Sequence, residues 1–413
     1  MTHDTNIPQG YKATALGIIP QEWEVKFLGD LLSRCANGLT YDVSITSGIP
    51  VTRIETISTG EINYAKVGYI PNESGYEIFR MQKGDILYSH INSLSQIGKV
   101  AYYKGDKEIY HGMNLLLLRA IESLDKQYLY YTLLTDHMRH MAQVIAKPAV
   151  NQASISTSDL KRVKIAVPPL AEQRKIAEVL GVWDEAIEKQ ARLIEKLALR
   201  KRALMQRLLS AKLRLPGFSE PWKTLHIADF AFEINSRNKS NSPYEVLSCT
   251  KYEGLVSSLK YFGKQIYSDD LSTYKIVPKN RFAYATNHIE EGSIGYQSKY
   301  DQALISPMYT VFGTNPSLIN DAFLYKLLKT QKLIYLYKSR MEGSIDRRGG
   351  LRWNDFASIK IALPSIEEQT AIAEVLTAAD REIELAKEKL ERLRRQKRGL
   401  MQQLLTGKKR VKY

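Results

Sequence analysis

Lysine and arginine are concentrated in two segments of this chain, and they indicate the first chemistry to consider. Between Lys189 and Arg214 there are 9 Lys or Arg and 1 acidic residue, and between Lys387 and Lys412 there are 11 and 2. The two segments carry +8 and +9, whereas the 413-residue chain carries +15 in total. Clustered basic charge attracts polyanions such as DNA or RNA, although it is also the usual solvated face of a helix. We favour nucleic acid as the partner.

Motifs of an independent catalyst are absent from the sequence. It has no Gly-x-x-x-x-Gly-Lys-Ser/Thr phosphate loop, no Gly-x-Gly-x-x-Gly turn, no His-Glu-x-x-His and no Gly-x-Ser-x-Gly elbow. The stretch 167–170 lacks the flanking residues of an adenine methyltransferase motif. The seven His are scattered, and Cys35 and Cys249 are too few for a disulfide framework or a cysteine zinc site. We therefore predict a non-catalytic chain without a metal.

A helix-forming sequence occurs twice in the chain. Residues 168–209 and 364–405 align at an offset of 196 positions without a gap and are identical at 20 of 42 positions. Ser365 and Glu368 predict a capping box at the start of the second copy, and Gly407 predicts its end. In the first copy Pro168 and Pro169 take the place of the cap. The period indicates a duplicated domain-plus-helix unit.

Apolar residues at heptad spacing predict a helix-pairing seam in each copy. The predicted seam residues are Ile187, Ile194, Leu197, Leu204 and Leu208 in the first copy and Ile383, Leu390, Leu393, Leu400 and Leu404 in the second. Lys201 and Lys397 occupy the same polar position of the two seams. We expect the two helices to pair as a coiled coil, because a single seam of this length would expose its Ile and Leu. The alternative is that each helix packs on a separate domain core.

The segments outside the long helices predict two globular units of similar length. Short strands broken by Gly, Asn and Asp are expected within each, for example 84–89, 98–103 and 281–285. One further helix is expected late in each unit, from Asp125 to about Ile145 and from Asp321 to about Met341. Residues 1 to about 20 are interpreted as a lead-in loop. No apolar run reaches the ~18 residues of a membrane span, and no signal peptide is evident, so a cytoplasmic location is expected.

The sequence resembles the specificity (S) subunit of type I restriction–modification enzymes. The resemblance rests on both helix starts, 168–177 and 363–369, on the helix ends 204–209 and 400–407, and on the stretches 150–160, 287–295 and 348–355. It covers essentially the whole chain in the family's order of domain, helix, domain, helix. The segment 346–350 differs slightly from the pattern of the corresponding loop.

The resemblance implies an α+β fold with two mixed α/β target recognition domains in tandem. Two long antiparallel coiled-coil helices would separate and hold them with pseudo-two-fold symmetry. The first recognition domain is placed at residues 1–165 and the central helix at 166–213. The second recognition domain is placed at 214–361 and the distal helix at 362–413.

The resemblance also implies a function without catalysis. Each recognition domain would read one half of a bipartite, asymmetric double-stranded DNA site, and the helices would set the unread spacer. The helices would also dock two methyltransferase (M) subunits, and the assembly would recruit restriction (R) subunits. S-adenosylmethionine, ATP and Mg²⁺ would be bound by those partners. Two other classes stay open: an autonomous nuclease or methyltransferase with an unrecognised site, and a coiled-coil adaptor protein.

Polar and basic loop residues are the candidates for DNA binding, because such side chains read base edges in the major groove. The candidates are His90, Asn92, Ser93, Lys147, Asn151 and Gln152 in the first domain, and Asn287, His288, Ser344, Arg347, Arg348 and Arg352 in the second. Each could instead be a phosphate contact or an ordinary exposed residue, and Asn151, Asn287 and His288 could hold their loops. The basic helix faces could follow phosphates, face solvent or meet an acidic M-subunit surface.

Overall fold

The computed structural model describes residues 7–150, 152–342 and 350–412. The first long helix spans Leu170–Leu208 and the second spans Ile366–Leu404, so each has 39 residues. Packing divides the chain into unit 1, Met1–Ala191 with Glu388–Tyr413, and unit 2, Arg192–Lys387. Each unit contains the beginning of one long helix and the end of the other. The linear domain boundaries given above stay a prediction about sequence modules.

Unit 1 is built on a four-stranded antiparallel sheet covered by helices. Its strands are β1 Tyr11–Thr14, β2 Gly17–Pro20, β3 Glu24–Phe27, β4 Leu32–Asn37, β5 Ile49–Val51, β6 Gly68–Ile70, β7 Ile86–Tyr88, β8 Ile91–Asn92, β9 Val100–Tyr102, β10 Leu116–Ala120, β11 Lys147–Ala149, β12 Gln152–Ser154 and β13 Lys164–Val167. Its shorter helices are α1 Lys126–Leu133, α2 Asp136–Ile145 and α3 Thr157–Lys161. The central sheet has the order β4-β10-β7-β9.

Both faces of the unit 1 sheet are buried, and side chains alternate between them with the period of two that a strand imposes. Ile86 and Leu116 lie on the face that packs with Tyr128 of α1. Leu87 and Leu117 lie in a second buried cluster on the other face. This double burial explains why these short strands have apolar residues at consecutive positions.

Unit 2 repeats this architecture. Its strands are β14 Lys223–His226, β15 Ala231–Ile234, β16 Leu247–Thr250, β17 Gly254–Ser257, β18 Lys275–Pro278, β19 Arg281–Ala285, β20 Ile294–Gln297, β21 Gln302–Ile305, β22 Tyr309–Thr314 and β23 Lys360–Leu363. Its shorter helices are α4 Ser258–Phe262, α5 Asp321–Leu328, α6 Gln331–Glu342 and α7 Trp353–Ala357. The central sheet has the order β15-β22-β19-β20, which corresponds strand for strand to that of unit 1.

Local structure corrects two sequence-based expectations. The lead-in segment contains an antiparallel hairpin, β1 with β2, and not a plain loop. The single late helix expected in each unit is two helices, α1 and α2 in unit 1 and α5 and α6 in unit 2. In unit 1 the break is made by Thr135, whose hydroxyl accepts a hydrogen bond from the Met138 N–H and so caps a new helix.

The two long helices pair in opposite directions inside each unit. In unit 1, Leu404 and Leu405 at the end of the second long helix share a buried core with Trp23 and with Ile176 near the start of the first. In unit 2, Leu208 at the end of the first long helix shares a buried core with Ile372 near the start of the second. The fold is therefore the predicted one of two mixed α/β domains with a paired long helix each.

None of the ten predicted seam residues is exposed. Leu197, Leu208, Leu390 and Leu404 are buried, and the other six are half-buried. Neighbouring positions on both helices are mostly exposed. Among the described residues, no helix combines the length and the hydropathy needed to cross a membrane.

A buried glutamate anchors the far end of the partner helix in each unit. Glu172 is 0% exposed and accepts hydrogen bonds from Trp23 Nε1 at 3.0 Å and from Arg410 Nε and Nη2 at 2.6 and 2.9 Å. In unit 2, Glu368 accepts from Arg214 Nε and Nη2 at 2.7 and 2.8 Å. The two pairs occupy equivalent positions of the repeat, so the same bidentate contact is made twice.

The predicted capping box at the second long helix is only half formed. Ser365 Oγ accepts from the Glu368 N–H at 3.4 Å, as a cap requires. The Glu368 carboxylate, however, pairs with Arg214. A guanidinium–carboxylate contact is stronger than a neutral hydrogen bond, which accounts for the difference. Gly407 has φ +70° after the helix, and its N–H donates to the Leu404 carbonyl oxygen, as predicted for a helix stop.

We expect Arg410→Ala to destabilise unit 1 by about 2–4 kcal/mol, because it leaves the Glu172 carboxylate buried without its guanidinium. Urea unfolding followed by circular dichroism would measure this. The exposed neighbour provides the control, since Lys409→Ala should change stability by less than about 0.5 kcal/mol. Equal effects of the two substitutions would contradict the account.

We also expect unit 1 to lose stability through His111 as the pH falls from neutral toward 5, by about 1–2 kcal/mol. Its Nε2 contacts the Leu115 carbonyl oxygen at 2.9 Å, and burial lowers the pKa of His111 to about 4. In the unfolded chain the pKa of His111 is ~6.5, so the unfolded state takes up the proton first, and stability present above that pH is lost as pH falls toward 4. His111→Gln should reduce this dependence without abolishing it, because burial also lowers the pKa of His90 in the same unit to about 4. His137→Gln, at an exposed position, should not reduce it. An unchanged slope in the pH dependence of urea unfolding for His111→Gln would refute the assignment.

Candidate nucleic-acid interface

In unit 1, the segment after β7 and the segment before α3 form one small sheet. Strand β8 pairs with β12, and β12 pairs with β11, in the order β11-β12-β8. This sheet brings Asn92, Lys147 and Gln152 together, although Asn92 is distant from the other two in sequence. Lys147 and Gln152 are exposed, and Asn92 is half-buried. Asn151 lies outside the described residues, so its candidate role stays a prediction.

The polar residues of the β7–β8 turn differ in their access to a ligand. His90 is 7% exposed, burial lowers its pKa to about 4, and its Nδ1 has no hydrogen-bond partner among the described residues. Asn92 donates to Ser89 Oγ at 3.2 Å and accepts from the Ser93 N–H at 2.8 Å, so its amide orders the turn. Ser93 is exposed. Ser93 is therefore the accessible candidate of the turn.

In unit 2, the equivalent segments also meet. The Leu351 N–H donates to the Thr286 carbonyl oxygen at 2.9 Å, and in unit 1 the Ile155 N–H donates to the His90 carbonyl oxygen at 2.8 Å. Both donors and both acceptors occupy equivalent positions of the repeat. The repeat of the long helices thus extends to a backbone contact that positions the candidate loops. A Cβ at Gly350 would lie 2.2 Å from the Thr286 oxygen, so this approach requires glycine.

This contact brings Asn287 and Arg352 to one open cleft of about 430 Å³. Both are exposed, as is His288 beside them. Arg352 directly precedes α7, and its guanidinium, which has only donors, cannot cap the N–H groups of that helix start. An exposed Arg and Asn in one cleft suit bidentate recognition of guanine and adenine edges. Ser344, Arg347 and Arg348 lie outside the described residues, and their roles stay predictions.

The cleft also contains a lysine that the sequence analysis did not select. Lys275 begins β18 and is 9% exposed, and burial lowers its pKa. It occupies an inward-facing position of the strand, as Val277 does two residues later. A lysine at an apolar position of an alternating strand was the available signal.

One group of side chains in the described part of the chain could bring ligand atoms to a cation. His288, Glu290 and Glu291 place such atoms within 4.8 Å of one another on the turn after β19. His288 is exposed, and exposed acidic groups of this kind are common without an ion. We assign no metal to this turn.

Part of the basic charge of the long helices is used inside the fold. Lys397 pairs with Asp184 and Arg410 with Glu172 in unit 1, and Lys201 pairs with Asp380 in unit 2. Other basic side chains of the two segments are exposed, namely Lys196, Arg202, Arg207, Lys389, Arg392, Arg395 and Arg398. The basic excess therefore serves helix pairing as well as an exposed surface that could face phosphates, solvent or a partner protein.

Comparison with known proteins points to the same family along nearly the whole chain. The sequence model of the family described as type I restriction modification DNA specificity domain matches twice, over residues 20–198 and 220–395. A protein of Methanocaldococcus jannaschii named as a type I restriction enzyme MjaX specificity subunit is 33% identical over 428 aligned residues. The alignment covers 98% of this chain and 97% of that protein.

Solved structures share the fold. The type I restriction–modification S subunit from M. genitalium superposes with a TM-score of 0.55 at 17% identity, covering 98% of each chain. A chain from a study of complex assembly and conformational transition of the type I R-M system superposes with a TM-score of 0.57 at 16% identity, covering 94% of this chain and 99% of that one. The chain belongs to the family of type I restriction–modification DNA specificity subunits, which recognise DNA and are not themselves catalysts.

Proposed function

We propose that the chain reads a bipartite, asymmetric double-stranded DNA site, one half with each recognition domain. The observation that carries this proposal is the backbone contact at the candidate loops, which recurs at equivalent positions of the repeat but bears different side chains in the two units. His90 corresponds to Thr286, and Ile155 corresponds to Leu351. Equal scaffolds with different side chains suit two readers of different base sequences. A symmetric dimer, in contrast, would read a palindrome.

The long helices set the unread spacer and dock two methyltransferase subunits, and the assembly recruits restriction subunits. S-adenosylmethionine, ATP and Mg²⁺ belong to those partners in this proposal, and the complex acts in the cytoplasm. One structural neighbour comes from a study of complex assembly in a type I system, which supports the partner part of the proposal. The exposed basic side chains on the helix ends supply sequence-independent attraction to the spacer phosphates.

Exchanging residues 214–361 for those of a relative with another target should change one half-site and preserve the other. The reason is that each unit carries its own sheet and its own candidate loops. The measurement is sequencing of adenine methylation after expression with the methyltransferase subunit of its own system. The reciprocal control is exchange of residues 1–165, which should change the other half-site. A change in both half-sites from one exchange would contradict independent reading.

Arg352→Ala should weaken recognition in the half-site of unit 2 alone. If Arg352 reads a guanine, the substitution costs about 1–3 kcal/mol and relaxes selection at one base pair. Methylation rates on duplexes carrying each base at each position would show this. Lys360→Ala is the matched control, because Lys360 is an exposed basic residue of the same unit on strand β23. A uniform loss of rate on all duplexes would instead assign Arg352 to a phosphate.

A further inference from the structure

Two aspartates each join three parts of the fold. Asp184, on the first long helix, accepts hydrogen bonds from Lys397 of the second long helix at 2.5 Å and from Tyr131 of α1 at 2.7 Å. Asp380, on the second long helix, accepts from Lys201 of the first and from Lys326 of α5, the latter at 2.6 Å. Each carboxylate thus connects its own long helix, the partner helix and the first helix of a pair in the recognition domain.

We call the contacts of Asp184 with Lys397 and Tyr131, and those of Asp380 with Lys201 and Lys326, the two joints. One lysine of each joint is largely shielded from water, which makes the contacts specific. Lys397 and Lys326 are 12% and 13% exposed, and Lys397 Nζ lies 4.9 Å from the centroid of the Tyr131 ring. An ammonium group withdrawn from water is costly unless a carboxylate and further hydrogen bonds accompany it. Burial raises the pKa of Asp380, but hydrogen bonds from Lys201 and Lys326 lower it by more, so the pKa lies below its ordinary value. The joint in unit 2 therefore contains an ionised Asp380 carboxylate at neutral pH.

Both joints specify one alignment of the helices. In unit 1, Lys397 and Arg410 follow one another along the second helix and its end, and they meet the first helix at Asp184 and then, further back, at Glu172. In unit 2, the equivalent residues of the repeat make both contacts, so the register is the same. Sliding by one heptad would displace the contacts by about 10 Å and leave each seam lysine opposite a different residue.

We propose that Asp184 and Asp380 are positioning residues that fix the register of the helix pair and the orientation of each recognition domain on its own long helix. Through these joints they determine the single spacer length that the protein accepts between its half-sites. The inference rests on the proposed function. One added base pair moves a half-site by about 3.4 Å and rotates it by about 35°, so a loosened joint is enough to admit a wrong spacer.

The two joints differ in charge, and this difference determines which aspartate substitution should have the larger effect. In unit 1 the carboxylate faces one lysine and one neutral tyrosine hydroxyl. In unit 2 it faces two lysines, Lys201 and Lys326. Removing the carboxylate leaves like charges facing each other only in unit 2, so Asp380→Ala should loosen its joint more than Asp184→Ala does.

The test measures adenine methylation by the complex with its methyltransferase subunit on duplexes whose spacer has the native length, one base pair more or one base pair less. The readout is the ratio of rates between native and altered spacers, because the amount of folded protein cancels in this ratio. Glu178→Ala and Glu374→Ala are the matched controls. They remove exposed carboxylates from the same two helices, again at equivalent positions of the repeat.

We expect the parent and both controls to prefer the native spacer at least 30-fold. Asp184→Ala should reduce that ratio at least threefold and Asp380→Ala at least tenfold, which correspond to about 0.7 and 1.4 kcal/mol. Tyr131→Phe removes one hydroxyl, keeps the ring beside Lys397 and should also lower the ratio, so the test does not depend on the aspartate variants folding. Unchanged ratios in all three variants would overturn the inference while the proposed function stands. A parent without any spacer preference would overturn both.

Discussion

Two copies of one helical sequence pack in opposite directions, and each recognition domain is completed by the end of the helix that follows the other domain. The contact between the start of one long helix and the segment after the end of the other depends on a buried carboxylate, which requires a cationic partner. Glu172 and Glu368 are almost fully enclosed, and each is matched by an arginine that lies beyond the end of the partner helix. Because the segment after each long helix carries this arginine, unit 1 needs two separate stretches of sequence, Met1–Ala191 and Glu388–Tyr413, whereas unit 2 is the continuous stretch Arg192–Lys387.

The start of each long helix is also tied to its recognition domain. The side chain of Gln173 accepts from the Asp125 N–H at 2.8 Å and donates to the Pro168 carbonyl oxygen at 2.8 Å. Gln369 makes the same two contacts with Asn320 and Pro364, at 2.9 and 3.0 Å. A single glutamine thus binds the start of the domain's own helix and closes the turn into the long helix. The contacts at the two helix starts are therefore made by a glutamine that is identical in the two repeats.

The sequence was a good guide wherever structure depends on periodicity or identity. The repeat, the two long helices, the helix stop at Gly407 and the order of domains follow from patterns that recur in the two halves of the chain. The failures have local causes. The apolar periodicity continues across the break between α1 and α2, but Thr135 caps a second helix there. The Glu368 carboxylate does not complete the capping box, because it binds an arginine more strongly.

The candidate interface was predictable only in part. Residues such as Asn287 and Arg352 were selected separately, and their common cleft follows from a backbone contact between Leu351 and Thr286 that no local pattern specifies. His90 was selected as a polar loop residue, but the fold buries it. Lys275 was missed because the bounds of strand β18 and its inward face must be known before a lysine on that face can be recognised. Base identity depends on such side-chain placement, which explains why two similar scaffolds can have different targets.

One chain is proposed to carry two different readers of one split DNA site. The most direct measurement is a genome-wide map of adenine methylation in the source organism with the gene intact and deleted. If the chain carries both readers, a split, non-palindromic motif with a constant unread gap loses its methylation on deletion. No loss of any such motif, from cells in which the chain co-purifies with an active methyltransferase subunit, would contradict it.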